Sequence, residues 1–124
     1  DSPLAKQNYV TSSDLIDVPL ILPRRLNVQS ELASWFGNDF NKLNILFTSN
    51  LSANSSIMVY HKLAYSIIIK GSISLWDQEK VTYRPLYPEL TASSILAWKR
   101  QQPFGLAASK FIEHIKENFA IQEH

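Results

Sequence analysis

The residues that could do chemistry in this chain are few, and their spacing argues against most reactions. Three histidines, His61, His114 and His124, include no two at metal-ligand spacing. No Gly-x-Ser-x-Gly elbow, Walker loop or Gly-x-Gly-x-x-Gly turn is present. There is no cysteine in the 124 residues, which removes thiolate nucleophiles, disulfide scaffolds and Cys-based zinc sites. Three glycines are too few for a backbone phosphate cradle of the usual type. The acidic pairs Asp14/Asp17 and Glu113/Glu117 fall at helical surface spacing, where solvation is the ordinary fate of a carboxylate. The expectation is a chain that is not an enzyme, with no catalytic residue, no metal and no cofactor.

Binding is better served. In Thr48-Ser49-Asn50-Leu51-Ser52 an apolar strand gives way to a helix. Ligands of parallel α/β sheets collect at the carboxyl ends of strands. A helix N-terminus at that edge offers free N–H groups and partial positive charge to an anion. Hydroxyl and amide side chains add directed hydrogen bonds to a small polar ligand. A plainer reading of the same turn is that Asn50 or Ser52 caps the helix. Arg24-Arg25, at the end of another apolar strand, also has two readings: a bidentate clamp for carboxylate or phosphate, or a surface salt-bridge pair. Trp35 and Trp98 have apolar neighbours and read as core, whereas Trp76 beside Asp77 reads as partly exposed.

The elements that must position these residues follow from patterning. Pro19-Leu20-Ile21-Leu22-Pro23 is a short apolar run between prolines, which suits a buried strand. Asn27 can cap a helix over 28–36, with Val28, Leu32, Trp35 and Phe36 on one face and Gly37 as a left-handed stop. A second strand is expected over 43–47, then a helix capped by Ser52 with Ile57, Met58 and Leu63 inward. Residues 65–69 read as the next buried strand, 76–80 as a charged turn, and 81–84 and 94–99 as further strands. One helical turn is expected over 11–16. The helix over 105–119 has the clearest period, with Leu106, Ala108, Phe111, Ile112, Ile115 and Phe119 on one face. Strands separated by helices require crossovers, so the fold class is α/β with a mostly parallel sheet flanked by helices.

Composition bounds the rest. A length of 124 residues supports a single core, and 45% apolar content with 11% aromatics excludes disorder. Twelve basic against eleven acidic residues give a net charge of +1, too little for a field that holds phosphate backbone. The longest apolar run, Ile67-Ile68-Ile69, is far short of the ~20 residues a membrane span needs. The opening residues have neither a basic n-region nor an apolar h-region. They lack a starting Met as well, so the chain reads as a piece of something longer.

Several segments together resemble a known family. Asp1-Ser2-Pro3-Leu4-Ala5, followed by Asp14-Leu15-Ile16-Asp17-Val18-Pro19-Leu20-Ile21-Leu22-Pro23-Arg24-Arg25, is similar to the second half of the effector-binding domain of LysR-type transcriptional regulators. The family's "V-x-x-G-L-G-I-A" segment has its counterpart in Met58-Val59-Tyr60-His61-Lys62-Leu63-Ala64-Tyr65-Ser66-Ile67-Ile68. Pro85-Leu86-Tyr87-Pro88-Glu89-Leu90, Leu96-Ala97-Trp98-Lys99-Arg100 and the Ala107-Ala108…Phe111-Ile112 pattern resemble its ending. Lys62 and Ala64 stand where the family has glycines, and a lysine takes φ > 0 less cheaply than glycine.

The resemblance implies one lobe of a periplasmic-binding-protein-like (type II) fold. Residues 1–92 would form the second effector-binding lobe. Residues 93–124 would be the return crossover strand and a C-terminal helix that packs on a first lobe absent here. Effector contacts carry over to Ser49, Asn50 and Leu51, and with the helix-terminus argument the expected site is Thr48, Ser49, Asn50 and Leu51. The implied partners are a small polar or anionic effector and a homo-oligomer. DNA would be reached only through a winged helix-turn-helix outside this chain, with no membrane and a cytoplasmic location. A lobe of an extracytoplasmic solute-binding protein of a transporter is the alternative from another class.

Overall fold

Five residues, Pro19–Pro23, form β1, the middle strand of a three-stranded sheet in the order β2-β1-β3. The prolines stand at its two ends, where their missing N–H interrupts no interior rung. A computed structural model describes residues 1–92, 95–99 and 103–119, and the chain divides into two units, Asp1–Ala92 and Ser93–His124. β2 (Asn44–Ser49) and β3 (Tyr65–Ser66) both run parallel to β1, as crossover helices require. The β1–β2 register slips between Leu20 and Ile21, then continues to Pro23 opposite Ser49.

Being central, β1 is buried on both faces. Leu20 and Leu22 point into a cluster with Val10, Leu15, Leu32 and Phe36, and Ile21 points to the other side. Leu32 and Phe36 come from α1 (Leu26–Phe36), one turn apart on its inner face. Leu20, Ile21, Leu22 and Leu32 are the most deeply buried large side chains, each worth about 1.5–3 kcal/mol of burial. α1 starts two residues earlier than the pattern suggested, with Arg25 rather than Asn27 at its N-cap. Gly37 ends it with φ +57° and ψ −131°, a conformation that only glycine adopts readily.

Beyond the sheet centre the expectations diverge. β2 is an edge strand whose Ile45, Leu46 and Phe47 remain largely exposed. α2 (Ser52–Tyr60) turns Ser55 inward at 3% exposure, while Ile57 is 58% exposed and Leu63 beyond the helix also faces out. The third strand is two residues long, although the Ile67 N–H still reaches the Ile21 carbonyl at 3.1 Å. The strand expected over 81–84 does not form. In its place Val10 and Leu86 make an isolated parallel bridge, and Val10 N–H donates to the Pro85 carbonyl at 2.9 Å. Short 3₁₀ turns at Pro3–Lys6, Ser13–Leu15, Gly37–Lys42 and Lys70–Leu75 fill the connections. Trp76 is buried at 7% exposure, against the expected partial exposure, and Trp35 is only half-buried.

At the C-terminus of α2 the chain keeps the conformation of a glycine without having one. Lys62 has φ +60°. Leu63 N–H donates to the Met58 carbonyl and Lys62 N–H to the Val59 carbonyl, the paired bonds of a Schellman motif with Lys62 at C′.

In the second unit, α3 (Leu106–Asn118) spans nearly the expected helix. Leu106, Phe111 and Phe119 are exposed, Ile112 and Ile115 half-buried. The Lys116 ammonium lies 5.5 Å from the centre of the Trp98 ring, which is itself exposed rather than core. Residues 95–99 form no strand, and Ser94, at the start of the expected crossover, lies outside the described residues.

Candidate effector-binding edge

Two strand-to-helix junctions share one rim of the sheet. β1 and β2 are parallel neighbours, and their last paired residues are Pro23 and Ser49. One step further, Arg24 N–H donates to the Ser49 carbonyl at 3.1 Å, so the exit of β1 is pinned to the exit of β2. From these exits the chain enters α1 and α2 within two or three residues. Both helix starts therefore lie at the carboxyl edge, and adjacent strands stand about 4.8 Å apart.

Neither helix start is capped by a side chain. The N-cap of α2 is Leu51 and that of α1 is Arg25, with no side-chain cap bond at either. The capping expected of Asn50 or Ser52 does not occur, so first-turn N–H groups at both positions are left for an outside acceptor. α1 and α2 add the positive ends of their dipoles to the same rim.

The four expected site residues are held differently. Thr48 and Ser49 end β2 and are half-buried, and Asn50 and Leu51 are exposed in the turn. The Ser49 hydroxyl is engaged in holding the turn: it accepts from Leu51 N–H at 3.2 Å and donates to the Leu51 carbonyl at 3.0 Å. Among the described residues, the side chains of Thr48 and Asn50 make no hydrogen bond. The neighbouring turn is braced from α1, where the Gln29 side-chain amide donates to the Pro23 carbonyl at 3.0 Å.

Arg24 and Arg25 are exposed and enter no ion pair among the described residues, so the surface salt bridge considered for them is not formed. Two cationic side chains thus border a rim already favourable to negative charge. The sequence marked the two turns separately. What joins them is the parallel pairing of 19–23 with 44–49, which places successive strand exits on one edge.

His61 is at the far end of α2, its ring 5.0 Å from that of Tyr60, and His114 is exposed beside Asn118 on α3. His124 is outside the described residues. Glu113 pairs with Lys110 at 2.8 Å on the surface of α3. Among the described residues, no three His, Asp or Glu side chains gather where they could hold a metal ion, and no helix is long and apolar enough to cross a membrane.

Comparison with known proteins gives one match. The family model of the LysR substrate binding domain covers residues 1–120, while no curated protein and no solved structure matches. Domains of this family are periplasmic-binding-protein-like and belong to regulators rather than to enzymes, and the match does not favour the transporter-lobe alternative. With nearly its whole length matched and an α/β architecture built on a parallel sheet, the chain belongs to the LysR substrate-binding-domain family.

Proposed function

We propose that this chain is the effector-sensing part of a LysR-type transcriptional regulator, and that it binds a small polar or anionic molecule at Thr48, Ser49, Asn50 and Leu51. The observation that carries the reading is the uncapped start of α2 directly after β2, at the edge where parallel sheets bind ligands. Thr48 and Asn50 supply side chains free to hydrogen-bond, Ser49 holds the turn in shape, and Leu51 begins the helix. Arg24 and Arg25 favour a carboxylate or phosphate over a neutral ligand.

Residues 1–92 act as the effector lobe, and 93–124 as the crossover and the helix that packs on a first lobe. The chain performs no catalysis. An effector that binds one arrangement of a homo-oligomer better than another shifts it toward that arrangement, and so alters its hold on DNA. A net charge of +1 leaves the DNA contact to a winged helix-turn-helix outside these residues, in a cytoplasmic protein.

Thermal unfolding of the 124-residue chain against a panel of small carboxylates and phosphates tests the site. A ligand at about 100 times its Kd adds about 2.7 kcal/mol of stability. That gain should vanish in Asn50→Ala and persist in Lys42→Ala, at the amino end of β2. A panel without any stabilising anion, or a gain that survives Asn50→Ala and Thr48→Ala together, overturns the site. In a full-length regulator, Asn50→Ala should weaken the effector response more than DNA binding.

A further inference from the structure

Residues 82–88 cross the surface of the first unit without forming a strand, yet side chains fasten them at two points. Arg84 makes the first fastening. Its guanidinium donates to the carbonyls of Gln7, Ala5 and Tyr83 and to the Thr82 hydroxyl, so one side chain ties the outgoing segment to the incoming one. The Val10–Leu86 bridge extends that tie, with Tyr87 N–H donating to the Val10 carbonyl at 2.8 Å. Trp35 makes the second fastening, its indole N–H donating to the Pro88 carbonyl at 2.7 Å. Trp35 is on α1, nine residues from Leu26, so about 13 Å of rigid helix separates this bond from the sheet edge.

We infer that residues 82–88 are a strap that carries occupancy at the sheet edge to the N-terminal segment of the first unit, with Trp35 and Arg84 as its two positioning residues. The inference rests on the effector site proposed above and adds how that site is read out. An anion drawn to the start of α1 shifts a helix that has one hydrogen-bonded hold on the strap. The strap in turn holds the N-terminal segment through Arg84 and the Val10 bonds. Coupling between sites needs a physical element that both ends bias, and α1 with the strap is such an element.

The test is amide NMR on the full 124-residue chain titrated with sodium sulfate at constant ionic strength. Amides of Arg24, Arg25 and Asn50–Ala53 report the edge; Tyr87 and Val10 report the strap; Gln7 reports the N-terminal segment. In the wild type all three sets should move with one apparent Kd. Trp35→Phe keeps a ring against Phe36 and removes only the indole donor. There the edge should keep its Kd while the response of Tyr87 falls by about fivefold or more. Arg84→Gln should leave the Tyr87 response and reduce that of Gln7, the Val10 bonds remaining, which keeps the inference testable should Trp35→Phe fail to fold. An edge that responds while Tyr87 stays still, or a Tyr87 response undiminished in Trp35→Phe, refutes the strap alone. An edge that never responds refutes the anion site and the strap with it.

Discussion

A lysine in the left-handed region is a stored cost that one substitution can release. Lys62 has φ +60° at the C′ position of the motif that ends α2, and both hydrogen bonds of that motif depend on the conformation. For a residue with a Cβ the left-handed region costs roughly 1–2 kcal/mol, which glycine avoids. Glycine also frees the unfolded chain, which returns part of the gain. One further term is small. Lys62 pairs with Asp1, but both side chains are about three-quarters exposed, and such pairs contribute little. Lys62→Gly should therefore stabilise the chain by about 1 kcal/mol, or about 4 °C in Tm. Lys62→Ala removes the ion pair and keeps the strain, so it should change stability by less than about 0.5 kcal/mol. Urea titration of wild type, Lys62→Gly and Lys62→Ala separates the terms, since the midpoints shift without a change in slope if only the folded turn is affected. Equal stability of the Gly and Ala variants would refute the reasoning, because it would show that the backbone at 62 holds no strain.

Other outcomes follow from the packing and the local charges. Ile21→Ala should destabilise by about 2–5 kcal/mol, and Ile57→Ala by less than about 0.5 kcal/mol, although a hydrophobicity pattern alone would rank them together; equilibrium unfolding of both variants checks this. The Asp14 carboxylate accepts from the Thr11 hydroxyl at 2.6 Å and the Thr11 N–H at 2.8 Å, and these bonds hold its pKa below the ordinary 3.8. A depressed folded pKa contributes stability that is present above 3.8 and lost as pH falls through the folded value, so Asp14→Asn should flatten the acid limb of stability against pH below that point, as urea titrations at pH 6 and pH 3 would register.

Which parts of the fold were legible follows from how local their causes are. The 19–23 strand and all but the first two residues of α1 could be read because proline brackets, an apolar run and a terminal glycine all act within a few residues. The parallel sheet followed from the alternation of strand and helix. Exposure was not legible: whether 44–49 lies at the centre or the edge depends on its neighbours, and an apolar Ile45-Leu46-Phe47 looks the same in either place. For a like reason Ser55 faces inward on α2 and Ile57 does not, since a nine-residue helix over a sheet edge presents only a narrow strip to the core. At 81–84 the expected strand is absent, where the Arg84 side chain takes up carbonyls of the N-terminal segment and a guanidinium leaves no trace in hydrophobic period. At the candidate site, the position of 48–51 after a strand was readable, while the absence of any side-chain cap was not.

The single rung from Arg24 N–H to the Ser49 carbonyl also bears on how this rim can change over time. Because it fixes one strand exit against the other, an insertion or deletion in either turn displaces both helix starts. Substitutions at 24–25 and at 48–51 should therefore be epistatic, with a change tolerated in one turn only against particular residues in the other. Anyone transplanting ligand preference between such domains, for instance to build a biosensor, would need to move the two turns as one cassette.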